Sequence, residues 1–253
     1  MEDIILYFVV KYEGDFDKIY YAIMSKEEVD YSKIKEIKEN IGCEYVTIIS
    51  KNYPLKLKHL NRPPFIIFYK GNLSLLDNKC ISIIGSRKNT NYGKRIAKQI
   101  VKELVINNIC IISGLALGID TIAHEEALLN DGKTIAVLGN GFNEYYPYIN
   151  NRIQKDIEKR GLLISEYPPN VKPNRTNFPK RNRIIAALGD ALLVIEANKR
   201  SGTMITVNEA LNLGKDIMCI PNKVDEDSGC NELIKNGAYL VENAIDVLEI
   251  INE

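Results

Sequence analysis

From Cys80 onward the chain alternates short, almost wholly apolar runs with longer amphipathic stretches. The apolar runs at 80–85, 109–112, 134–138, 162–165, 191–195, 216–220 and 238–241 predict strands. Helical spacing between them predicts helices over 92–106, 119–130, 150–160, 180–188, 203–213 and 229–236. Short strands without polar alternation, separated by helices, are the pattern of a parallel sheet covered on both faces. Residues 1–60 follow another rhythm: rich in Lys, Glu and Tyr, with helical spacing at Ile19, Ala22, Ile23 and at Ile34, Ile37, Ile41, then a short strand from Tyr45. The pattern therefore predicts an α/β protein: a small helical or mixed N-terminal module (1–60), then a mostly parallel-sheet domain (61–253).

In open parallel sheets, ligands bind at the carboxyl ends of the strands. Those ends read Gly85-Ser86-Arg87, Ser113-Gly114-Leu115-Ala116, Leu138-Gly139-Asn140-Gly141, Ser165-Glu166-Tyr167, Glu196-Ala197 and Ile220-Pro221-Asn222. Nearly all are small or polar, as one continuous crevice requires. The first is the most suggestive. A buried strand that stops at Gly-Ser-Arg and then opens a basic helix offers backbone N–H groups, a helix N-terminus and a guanidinium to a phosphate. No GxGxxG fingerprint follows that strand, which argues against a dinucleotide enzyme.

Charge sharpens this picture. The totals cancel, with 33 Lys and Arg against 33 Asp and Glu, but the distribution is uneven. Lys79 to Lys102 holds seven cations and no acid, and no acid stands between Glu166 and Asp190, whereas nine acids face two lysines from Asp216 on. Local patches decide what a polyanion meets. Within the second basic stretch, Phe178 sits among Lys180, Arg181 and Arg183, just before Pro179. Cations around an aromatic on a loop suit single-stranded nucleic acid, the charges taking phosphates and the ring a base. Ser201-Gly202-Thr203, beside Lys199 and Arg200, is a second candidate helix N-terminus for a phosphate. Asp120 is expected to cap its helix or to steady His124.

Five cysteines without CxxC spacing read as reduced core thiols. With two histidines only, a zinc site is not expected. No apolar run approaches the length of a membrane span, and the first residues lack a basic leader, so a cytoplasmic protein is expected.

Taken together, Ile84-Gly85-Ser86-Arg87, Ser113-Gly114-Leu115-Ala116-x-Gly118-Ile119-Asp120-x-x-Ala123-His124, Ser165-Glu166-Tyr167-Pro168, Asn177-Phe178-Pro179-x-Arg181-Asn182-Arg183-Ile184-Ile185, Glu196-Ala197 and Ser201-Gly202-Thr203-x-Ile205-Thr206 resemble the DprA/Smf family of bacterial DNA-processing proteins. The resemblance runs in order from about Tyr53 to Leu240. It implies an extended Rossmann-like domain that binds single-stranded DNA, forms a homodimer, and helps load the RecA recombinase during DNA uptake and natural transformation. Neither catalysis nor a cofactor is implied. Position by position, it implies DNA contacts from Gly85, Ser86, Arg87, Phe178, Lys180, Arg181, Asn182, Arg183 and one of Lys199 and Arg200. Leu117 replaces the Arg usual in that family's motif, Asn222 stands where Gly is usual, and the sequence ends at Glu253 without the winged-helix domain many members append.

Two other readings remain open. Ser201-Gly202-Thr203 with Glu209 faintly resembles the signature of nucleotide-hydrolysing phosphoribohydrolases, although the first glycine pair is absent. Zero net charge and Leu117 also permit an interaction module that does not bind DNA.

Overall fold

The runs from Cys80 to Cys219 become strands buried along their whole length in a computed structural model, which describes residues 1–252. In chain order, helices α1 (Glu2–Lys11), α2 (Phe16–Met24) and α3 (Tyr31–Asn40) precede strand β1 (Glu44–Thr47). A single turn α4 (Leu55–Lys58) and strand β2 (Ile66–Gly71) follow. Then come β3 (Cys80–Ile84), α5 (Asn91–Ile106), β4 (Cys110–Ser113), α6 (Ile119–Leu129), β5 (Thr134–Leu138), α7 (Asn151–Arg160) and β6 (Leu162–Ser165). The second half holds α8 (Asn177–Leu188), β7 (Ala191–Val194), α9 (Thr203–Asn212), β8 (Ile217–Cys219), α10 (Gly229–Lys235), β9 (Tyr239–Leu240) and α11 (Ala244–Ile250).

The strands form one sheet in the order β1-β2-β6-β5-β4-β3-β7-β8-β9. From β6 to β9 every pairing is parallel, while β2 joins β6, and β1 joins β2, antiparallel. The chain first builds outward from β3 through β4 and β5 to β6. It then returns to the other side of β3 and builds β7 to β9. The order reverses between β3 and β7, so their carboxyl ends flank the switch point, where a doubly wound sheet opens its binding crevice.

The pleat divides the core between two faces. Ile81 and Ile83 of β3 pack with Ile96, Ile100, Leu104 and Ile119 of α5 and α6. Cys80 and Ile84 pack with Ile184, Ile185 and Leu188 of α8 and Val207 of α9. Ser82 avoids an unpaired buried hydroxyl by donating to the Ile185 carbonyl at 2.6 Å.

In the first 60 residues, α1 to α3 place Leu6, Phe8, Ile19 and Ile34 in one buried cluster with Phe68, Ala136, Leu138 and Leu163 of the sheet. With β1 paired to β2, this stretch is continuous with the sheet rather than merely tethered to it. The five cysteines are free thiols, four of them buried.

Candidate nucleic-acid interface

At the switch point lies a hollow of about 450 Å3, lined by Gly85, Ser86, Arg87 and Lys88 after β3, by Phe178, Arg181 and Asn182 of α8, and by Asn198, Ser201, Gly202 and Thr203 after β7. Sequence elements nearly 120 residues apart thus meet at one place.

The Gly-Ser-Arg turn is held from several sides. The Ser86 N–H donates to the Glu196 carbonyl at 2.7 Å, and the Ser86 carbonyl accepts from the Ile119 N–H at 3.2 Å. The Ser86 hydroxyl accepts from the Lys88 N–H at 3.1 Å. Gly118 has φ +82, and a side chain there would run into the Ser86 carbonyl, so the close approach of the two turns requires glycine. Arg87 and Lys88 project from this turn exposed, and neither has an ion-pair or side-chain hydrogen-bond partner among the described residues.

The helix after this turn does not contribute as expected. At the start of α5, Glu196 accepts from the Thr90 N–H (3.0 Å) and the Thr90 hydroxyl (2.8 Å). Thr90 in turn accepts the Gly93 N–H at 3.1 Å. The favourable place for an anion at this N-terminus is filled by the protein's own carboxylate. Two other helices supply open N-termini instead: α8 and α9 start at the hollow without a side-chain cap, whereas the first N–H of α6 is taken by the Ser86 carbonyl. Ser201 lies beside the last of them, its hydroxyl buried without a partner among the described residues.

Two basic residues read from sequence as phosphate contacts turn inward. Arg181 is 3% exposed. Its Nη1 donates to the Gly114 carbonyl at 2.6 Å and to the Val137 carbonyl, and its Nε to Asn182 Oδ1 at 3.3 Å. It is a strut tying α8 to the ends of β4 and β5, and it reaches the hollow only as part of the floor. Burial lowers its pKa to about 10, Asp120 opposing, so it remains cationic at neutral pH. Arg183 forks onto both oxygens of Glu166, at 3.0 and 2.6 Å, and donates to the Lys180 and Arg62 carbonyls. Burial depresses its pKa, but the Glu166 carboxylate more than restores it.

The remaining candidates divide. Asn182 is half-buried at the hollow wall. Lys180 is exposed on the other flank of α8, facing a second hollow with Lys172 and Lys18. Lys199 and Arg200 are exposed on the rim before α9; Lys199 lies 4.0 Å from Glu232, and Arg200 has no ion pair among the described residues.

Phe178 belongs to the first turn of α8 rather than to a loop. Its ring is half-buried over Gly139, where a Cβ would come within 2.7 Å of it, and stacks on Tyr146 at 5.2 Å between centroids and 30° between planes. The partnership with Tyr146, 32 positions away, carries no sequence signal of its own.

The Asp–His pair is not formed. Asp120, its pKa raised by burial, accepts from the Gly114 and Ala116 N–H groups at 3.1 and 3.4 Å. His124 Nδ1 meets Thr134 Oγ1 at 2.7 Å, which donates onward to the Ile111 carbonyl, and burial lowers the imidazole pKa to about 3. Glu209 does not line the hollow. No group of metal-ligating side chains occurs among the described residues, and no helix among them is long and apolar enough to cross a membrane.

A doubly wound sheet whose switch point opens into a cation-rimmed hollow beside the uncapped N-termini of α8 and α9 defines a Rossmann-like protein. The chain belongs to the DNA recombination-mediator protein A family, whose sequence model matches residues 44–252. It is 42% identical over 204 residues to DNA processing protein DprA of Streptococcus pneumoniae, covering 80% of this chain and 72% of that one. The crystal structure of DprA from S. pneumoniae superposes with a TM-score of 0.84 at 34% identity, covering 98% of this chain and 93% of that one. DprA from Helicobacter pylori, solved to explain its single-stranded-DNA binding, gives a TM-score of 0.74 at 32% identity, covering 84% and 96%.

Proposed function

We propose that this chain binds single-stranded DNA in the switch-point hollow and acts as a recombination mediator without catalysing a reaction. The observation that carries the reading is the convergence of Arg87 and Lys88, both without ion pairs, with the open N-termini of α8 and α9. A phosphate at the Gly85–Lys88 turn meets two exposed cations and helix dipoles together. Phe178 and Tyr146 form a stacked pair on which a base continues the stack. Lys199 or Arg200 takes a phosphate at the rim and Lys180 one on the other flank of α8, while Arg181, Asn182 and Arg183 shape and brace the wall. The single-strand binding described for the H. pylori relative supports the choice of ligand.

In this reading the protein works in the cytoplasm as a homodimer, protects DNA taken up during natural transformation and helps load the RecA recombinase. The test is fluorescence anisotropy with a labelled oligothymidine and a duplex of equal length. Tighter binding of the single strand is expected; duplex bound as tightly, or neither bound, contradicts the proposal.

A further inference from the structure

Between β5 and α7, Asn143 to Asn150 form a loop that is unusually apolar on its outside. Tyr148 is 77% exposed, Ile149 76% and Tyr146 48%. A loop of this kind could be loose, but this one is braced at both ends. Asn140 Nδ2 donates to the Gly141 and Glu144 carbonyls at 2.9 and 2.5 Å. Gln154 Nε2 donates to the Phe142 carbonyl at 3.2 Å. Asn150 Nδ2 reaches the Leu115 carbonyl at 3.0 Å and Thr121 Oγ1 at 2.7 Å, tying the loop to the turn after β4. Buried amides thus hold large apolar side chains out in water, which costs free energy unless something covers them.

What lies on either side indicates the cover. At one end, Tyr146 stacks on Phe178 and so on the hollow. At the other, α7 presents Arg152, Lys155 and Lys159, all exposed and spaced to share one face. Lys155 Nζ lies 5.4 Å from the Tyr145 ring. The acids beside them are half-buried: Asp156 meets Arg152 only at 4.0 Å, Glu158 is held by Lys70 at 3.3 Å, and Glu144 lies in the loop. Aromatic faces in series with a cationic stripe are the two ingredients of a single-strand track.

We propose that a single strand leaving the hollow continues over Tyr146 and Tyr148 and lays its phosphates along Arg152, Lys155 and Lys159 of α7. This extension rests on the single-strand reading of the hollow. It gives the protein two binding segments in series: the hollow, which a short strand fills, and the track, which only a longer strand reaches.

Anisotropy titrations with oligothymidines of about 4 and about 16 nucleotides, the ends of the usual range of site sizes, test it. Tyr148 is exposed, so Tyr148→Ala leaves the fold alone. It is expected to weaken the long oligonucleotide roughly fivefold to a hundredfold and to leave the short one unchanged. The double change Lys155→Gln with Lys159→Gln is expected to flatten the salt slope for the long strand alone, by about 0.7 for each phosphate no longer neutralised. If both variants bind the long strand as wild type does, the track is overturned and Tyr148 and Ile149 belong to a protein-binding surface. Equal weakening for both lengths overturns it too, placing Tyr148 in the hollow. Wild-type protein that binds neither length fails the hollow itself, a result distinct from either.

Discussion

Arg183 holds both carboxylate oxygens of Glu166, with its side chain 12% exposed and that of Glu166 9%. The pair pins α8 to the end of β6, and it sets the first prediction. Removing one member strands a buried charge, so Arg183→Ala should cost about 3–5 kcal/mol of stability. Per folded molecule, the salt dependence of DNA binding should not change. Denaturant unfolding beside binding isotherms checks both halves.

Most of the strands from β3 to β8 are legible because they are apolar runs ended by Gly, Ser or Pro (β7, ended by Glu196, is the exception), a pattern that depends on local sequence alone. Helix α1 is not, since Ile4 to Val10 is apolar without interruption and hides the helical period. Helix α11 escapes because it is short and lies within the acidic tail. The turns of the hollow are readable one by one, but their meeting depends on the sheet reversing at β3. The direction of a charge is the hardest to read. For Arg181 a signal exists: it precedes Ile184 and Ile185 by three and four residues, and so belongs to the buried stripe of α8. For Arg183 none does, because Glu166 lies on another element.

Phe178 is half in the fold and half in the hollow, so its replacement should register in both. Phe178→Ala loses the Tyr146 pair, about 0.5–1.5 kcal/mol, together with the half-burial of the ring, and should stay below the about 3–5 kcal/mol of a fully buried Phe. Affinity for oligothymidine should fall by about 1–3 kcal/mol with the salt slope intact. Phe178→Leu should restore most of the stability and little of the affinity. Thermal melts and isotherms on both variants separate the effects.

His124 titrates in the unfolded chain near 6.5 but in the native protein only at about 3. The unfolded state therefore binds more protons in that window, and stability rises with pH across it. Below pH 6.5 this one group should remove about 1.4 kcal/mol per pH unit. Asp120, with its pKa raised, works in the opposite sense. In His124→Asn, urea unfolding at several pH values between 4 and 7 should give a correspondingly shallower curve. An unchanged curve would mean that the imidazole is not held neutral.

The most direct test of the hollow as a phosphate site is the slope of log K against log salt for oligothymidine, in wild type and Arg87→Ala. With Arg181 and Arg183 committed to the fold, the exposed cations left for a bound strand are Arg87, Lys88 and one of Lys199 and Arg200 at the hollow, and Lys180 on the other flank of α8. At about 0.7 per phosphate neutralised on a single strand, the wild-type slope should be about −2 to −3. Arg87→Ala should flatten it by about 0.7 and weaken binding roughly tenfold to a hundredfold at low salt, with the melting temperature unchanged. A wild-type slope near zero, or Arg87→Ala binding as tightly as wild type, would contradict the account.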